Sequence, residues 1–123
     1  MKKTYHLCLS GGNEVMFRHD KDYIYANNCL CLAAYKTGST ILAYSIMSNH
    51  VHICVRTEDP YAFMKAFRYP YTRYFNQKYG RKGQLGEKHF FICEIEGLYH
   101  LLAVLSYILR NPLHHGVVSI PYA

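Results

Sequence analysis

The amino-acid sequence predicts an α+β fold of the ferredoxin-like type: a β-α-β-β-α-β antiparallel sheet with helices on one face, followed by one additional C-terminal helix. Three observations lead to it. Strand-like apolar runs occur over about 4–10, 41–56 and 89–96. Two stretches with helical spacing and helix-start signals, about 21–35 and 60–79, separate them. A leucine-rich helical stretch, about 97–109, follows the last strand. With no repeat, linker or low-complexity segment, the whole of 1–123 reads as a single domain, long enough to bury a hydrophobic core.

Each element has a local cause. Thr4–Ser10 is apolar enough to lie inside a sheet, and Gly11-Gly12-Asn13 ends it. Asp20 can cap a helix from about Lys21 to Tyr35, in which Tyr23, Ile24, Ala26, Leu30, Ala33 and Ala34 keep helical spacing, and Gly38 closes it. Ile41–Met47 and His50–Arg56 form a hairpin around the tight turn Ser48-Asn49. Glu58-Asp59-Pro60 opens a second helix toward Tyr79-Gly80, which Pro70 is expected to kink or split. His89–Glu96 is the fourth strand. The last helix is expected to stop before Asn111-Pro112.

Composition narrows the function classes. Half of the residues are hydrophobic, so the chain is globular rather than disordered. No apolar run is long enough for a transmembrane helix, and the N-terminus does not read as a signal peptide. The five cysteines are odd in number and contain no Cys-x-x-Cys, which fits reduced thiols in a cytoplasmic protein. A net charge of +6 favours an anionic partner, nucleic acid first.

The residues that carry chemistry begin with the hairpin. Side chains alternate along a strand, so Val51, Ile53 and Val55 point into a core while His50, His52, Cys54 and Arg56 point the other way. Two imidazoles two residues apart, about 7 Å at the backbone, can converge on one divalent ion. Read alone, the pair suits two polar residues on a solvated strand face at least as well. On the second helix and the turn after it, Lys65, Arg68, Arg73, Lys78, Arg81 and Lys82 alternate with Tyr69, Tyr71, Tyr74, Phe75 and Tyr79. Charges for phosphate beside rings for bases suit a single strand, and the same pattern suits a helix with a solvated basic face and an aromatic core face. On the last helix, Leu98, Leu101, Leu102, Leu105, Ile108 and Leu109 form a stripe expected to pack on the body. Tyr107 and Asn111 are four apart on the flank of that stripe, with His100 on the same flank. They could face the histidine surface together, Tyr107 as the attacking group and Asn111 as an oxygen ligand.

Three segments in order carry a resemblance. Met47-Ser48-Asn49-His50-Val51-His52, Tyr71-Thr72-Arg73-Tyr74-Phe75-Asn76 and Tyr107-Ile108-Leu109-Arg110-Asn111-Pro112, followed by His115-Gly116-Val117-Val118, resemble the HUH single-strand nucleases. Within them the sequence is most similar to the REP-associated tyrosine transposases, over about residues 4–118. Ser48 stands where those proteins usually have proline. The chain ends eleven residues after Pro112, where many of them continue, as expected of a short relative or a truncated chain.

The resemblance implies Mg²⁺ or Mn²⁺ bound by His50, His52 and Asn111, with Tyr107 as nucleophile on the additional helix. It implies single-stranded DNA beside a hairpin formed by a palindromic repeat as substrate, and a 5′-phosphotyrosine intermediate with a free 3′-OH. Relatives that exchange the tyrosine helix make a homodimer a candidate assembly. The alternative is a catalytically silent, domesticated nucleic-acid-binding module of the same fold, which would need neither the histidine pair nor the tyrosine.

Overall fold

The computed structural model describes residues 1–114, with side chains through Arg110. The elements are β1 (Lys3–Ser10), α1 (Asp20–Thr37), β2 (Thr40–Met47), β3 (His50–Thr57), α2 (Pro60–Tyr79), β4 (Phe91–Glu94) and α3 (Gly97–His114). The strands form one antiparallel sheet in the order β2-β3-β1-β4, the ferredoxin-like arrangement.

Strand alternation divides the sheet into two faces. Leu7 and Leu9 of β1 and Val51, Ile53 and Val55 of β3 are buried under α1 and α2. Ala26, Cys29, Leu30 and Ala33 descend from α1, and Phe63, Met64, Phe67, Tyr71 and Phe75 from α2. Each large apolar side chain removed from water contributes about 1.5–3 kcal/mol, so this layer dominates stability. Asp22 joins the two helices from a fully buried position. Its carboxylate accepts hydrogen bonds from Tyr74 Oη (2.7 Å), Tyr79 Oη (2.6 Å) and Lys78 Nζ (2.8 Å), and from the backbone N–H of Arg18 (3.0 Å). Burial pushes this carboxyl up, but the hydrogen bonds outweigh it and hold the group well below the usual carboxylate range.

The helix boundaries differ from expectation in instructive ways. Asp20 is the first residue of α1 rather than its cap; the N-cap position is His19, and Asp22 reaches back to its N–H at 3.3 Å. At α2 the expected cap is present: Asp59 Oδ1 accepts from the N–H of Tyr61 (3.0 Å) and Ala62 (3.1 Å), with Pro60 in the first turn. Pro70 does not split α2, which runs unbroken to Tyr79. The missing donor is tolerated because buried aromatics on both sides of it, Phe67 and Tyr71, clamp the helix onto the core. β4 is shorter than the expected 89–96. α3 continues through Asn111-Pro112 to His114 instead of stopping before them.

The second face of the sheet is not left to solvent. α3 packs on β2 and β3, with Val104 and Ile108 buried against Ala43 and Cys54 and with Leu101 and Leu105 partly buried beside them. The packed stripe is therefore narrower than the leucine pattern suggested: Leu98, Leu102 and Leu109 are exposed. Among the described residues, no helix is long and apolar enough to cross a membrane.

Candidate active site

The site lies where α3 crosses the face of β3. The hairpin turn that presents it is held from outside: Ser48 O accepts from Met16 N (2.8 Å) and Phe17 N (3.0 Å), and Asn49 O accepts from Gly11 N (2.7 Å). Gly11 has no room for a side chain, since a Cβ there would collide with the Glu14 carbonyl and come within 2.9 Å of Met16 Cγ. A fixed turn fixes the start of β3 and with it His50 and His52.

His50 and His52 share the face predicted for them, their ring centroids 5.0 Å apart and nearly perpendicular. That face is partly covered, which speaks against the alternative of a solvated strand face: His52 is 7% exposed and Cys54 fully buried. His50 Nδ1 lies 2.9 Å from Asn49 Oδ1. The Tyr107 ring from α3 stands edge-on to His52 at 5.3 Å and to His6 at 6.3 Å. It remains 46% exposed, so it borders both the histidines and solvent. Burial, then the neighbouring His50 and His6, lower His52 to about 4, so it is a neutral imidazole at pH 7 with a lone pair available.

Two site residues escaped the sequence reading, His6 and Cys8. Both lie on the same face from β1, and the polar alternation Thr4-His6-Cys8-Ser10 against Tyr5-Leu7-Leu9 was the available signal. His6 Nε2 is 3.1 Å from His52 Nδ1, and Cys8 Sγ is 3.9 Å from His52 Nε2. Burial and then Glu87 push the Cys8 thiol up to about 11, so it stays protonated. Ser45, the register partner of His52 on β2, is fully buried, and its Oγ has no hydrogen-bond partner among the described residues. His100, expected on the Tyr107 flank, accepts from Glu96 N–H at 3.2 Å through Nδ1 at the start of α3.

The donor chemistry of two adjacent imidazoles fits a divalent ion. Among the described residues, no group of three or more His, Cys, Asp or Glu side chains is arranged to hold one. The expected third ligand, Asn111, has its side chain outside the described residues, as does the segment His115–Val118.

The six predicted DNA contacts separate into two groups. Arg68 is 6% exposed and its Nη2 donates to the carbonyls of Leu85 (2.8 Å) and Glu87 (2.8 Å). Arg81 makes a bidentate ion pair with Glu14 at 2.5 Å and donates to the Gln84 carbonyl. Lys78 is paired with Asp22. All three are engaged by partners within the protein. Lys65, Arg73 and Lys82 are exposed. Arg73 and Arg68 line a depression of about 550 Å³ between α2 and the turn, together with Tyr69, Thr72, Asn76 and Gln84. Of the aromatic residues interleaved with them, Tyr71 and Phe75 are core and Tyr74 and Tyr79 serve Asp22, so only Tyr69 stands well exposed.

The family model for IS200-like transposases matches residues 1–111. The chain belongs to that family. No curated protein matches it. Among solved structures, this IS200-like transposase is similar to a REP-associated tyrosine transposase bound to a REP hairpin, with a TM-score of 0.73 and 16% identity over 94% of this chain and 70% of that one. It is also similar to a Deinococcus radiodurans R1 protein described as a candidate transposase, with a TM-score of 0.62 and 18% identity over 90% of this chain and 91% of that one. At these identities the two structures establish the shared fold.

Proposed function

We propose that this IS200-like transposase cleaves and rejoins single-stranded DNA next to a hairpin, in the cytoplasm, with Tyr107 as the nucleophile. The observation that carries the proposal is the Tyr107 ring lying 5.3 Å from the His52 ring while remaining open to solvent. In cleavage, the Tyr107 oxygen forms a bond to the scissile phosphorus and the bond from phosphorus to the 3′-oxygen breaks. One proton is lost from the phenol and one is gained by the departing 3′-oxygen, so that strand ends as a 3′-OH with no net proton released. The DNA stays attached through a 5′-phosphotyrosine, so rejoining reverses the step without an external energy source. A phenol is a weak nucleophile until its proton is removed. His50, His52 and Asn111 would hold Mg²⁺ or Mn²⁺, which when bound polarises the phosphate and offsets charge that develops on it. The residues shown here do the rest. The β3 face and α3 orient Tyr107, and Lys65, Arg73 and Lys82 supply phosphate contacts. The hairpin substrate is supported by the likeness to a protein solved on a REP hairpin.

The test is covalent trapping. Hairpin-bearing single-stranded oligonucleotides incubated with the protein and Mn²⁺ should give a gel-shifted adduct. Tyr107→Phe keeps the ring packing and removes the attacking oxygen, so the adduct should vanish while DNA binding stays near wild type. A Phe variant that still cuts assigns the attack to water or another tyrosine and defeats the proposal.

A further inference from the structure

We propose that His6 is a positioning residue for His52: its Nε2 accepts the Nδ1 hydrogen of His52 and so leaves Nε2 of His52 as the bare nitrogen. The proposal rests on the ion site proposed above, and it adds a residue and a proton location to it.

The geometry requires that the two rings share a hydrogen. His6 pairs with Cys54 and Cys8 with His52, so His6 and His52 are diagonal neighbours on one face of adjacent strands. Their nitrogens are 3.1 Å apart, a hydrogen-bond distance. A neutral imidazole has one donor nitrogen and one acceptor nitrogen. If His6 donated, His52 would accept at Nδ1 and carry its own hydrogen on Nε2, with no lone pair left for an ion. If His52 donates, its Nε2 is bare and can bind. An imidazole that binds a metal through one nitrogen ordinarily has its other N–H engaged by an acceptor, which sets both tautomer and ring plane.

Two further contacts fit. Cys8 Sγ, 3.9 Å from His52 Nε2, carries an S–H that can point weakly at a bare nitrogen and yield to a better partner. His6 itself is fixed between elements: its ring packs edge-on against Phe91 of β4 at 5.4 Å and against Tyr107 of α3 at 6.3 Å. One imidazole on β1 thus touches both the candidate ligand and the candidate nucleophile, and it can hold the two in register.

The test uses the full chain and begins without metal. Long-range ¹H–¹⁵N correlation spectra of ¹⁵N-histidine-labelled protein report which nitrogen of each ring is protonated. His52 should show a protonated Nδ1 and a bare Nε2. In His6→Phe, which fills the space but accepts nothing, the hydrogen should move toward Nε2. In His6→Gln, whose side-chain oxygen accepts, the wild-type pattern should return. Mn²⁺ affinity, measured by paramagnetic broadening and calorimetry, should fall about 10- to 100-fold in His6→Phe and recover in His6→Gln. A wild-type His52 protonated at Nε2, or an equal Mn²⁺ affinity in a folded His6→Phe, overturns the proposal. Failure of the transposase reading is separate: it would appear as absent covalent adduct with DNA, while the metal-free spectrum still decides the role of His6.

Discussion

Tyr107, His50, His52 and Asn111 can be separated by what each substitution removes. His50→Ala or His52→Ala takes one imidazole from the proposed ion site, and Mn²⁺ binding by calorimetry should fall below detection. Both side chains lie off the main core face, so the fold should survive, with His52 the costlier change because its ring is buried beneath α3. Asn111→Ala should weaken Mn²⁺ binding but leave the nucleophile, so adduct formation should drop and partly recover at high Mn²⁺. Failure to recover would assign Asn111 a role other than ligand. Titration adds a further signature in the metal-free protein. His52 is lowered from an ordinary 6.5 to about 4, so the unfolded chain takes up this proton first as the pH falls. Stability should decline from about pH 6.5 down to about pH 4 on this account. His52→Phe should flatten that limb of an acid-denaturation series.

At the level of elements, α2 and the turn after it divide into charges that bind neighbours and charges that face water. Replacing Lys65, Arg73 and Lys82 together with Gln should reduce the dependence of single-strand binding on salt, by up to about two units of slope for three phosphate contacts at about 0.7 each. Melting temperature should change little. Arg68→Ala should do the reverse, because it strands the buried Leu85 carbonyl and the partly buried Glu87 carbonyl; a loss of about 1–3 kcal/mol in urea unfolding is expected, with little direct effect on the salt slope. An unchanged slope in the triple variant would leave α2 as a merely solvated basic face. Asp22→Asn tests the joint between α1 and α2. Its folded carboxyl is held below the ordinary value, so its contribution is present above the unfolded carboxylate range near pH 4 and is lost as the pH falls through and below it. The Asn variant should lose a few kcal/mol near pH 7 and lose the steepest, most acid part of the unfolding curve.

For the whole molecule, the sheet is sandwiched between unequal layers. The α1/α2 layer holds most of the core, while α3 is anchored on the opposite face through a small cluster around Val104 and Ile108. Ile108→Ala should cost about 2–5 kcal/mol if the cavity stays open. Because Ile108 adjoins Tyr107 in sequence, adduct formation should fall more than global stability predicts, and hydrogen exchange should rise selectively in α3. Uniform loss of protection across α1, α2 and α3 would show that α3 unfolds only with the whole domain.

The sequence by itself determined the element order, the histidine pair and the motif spacing, because alternation and helical periodicity are local properties written residue by residue. The hairpin around Ser48-Asn49, the Asp59-Pro60 helix start and the core face of β3 followed from that alone. Tertiary structure alone decided how far the last helix buries the other face. Period two says that Cys54 and His52 share a side but not that α3 buries that side. The same limit explains Arg68 and Arg81, whose partners lie 17 to 20 and 67 residues away in sequence. It explains Pro70 as well, since the helix survives through packing that no local propensity records. His6 is the sharpest case. Alternation places its side chain on the polar face of β1 but names no partner, and antiparallel pairing alone brings it within 3.1 Å of a histidine 46 residues away in sequence.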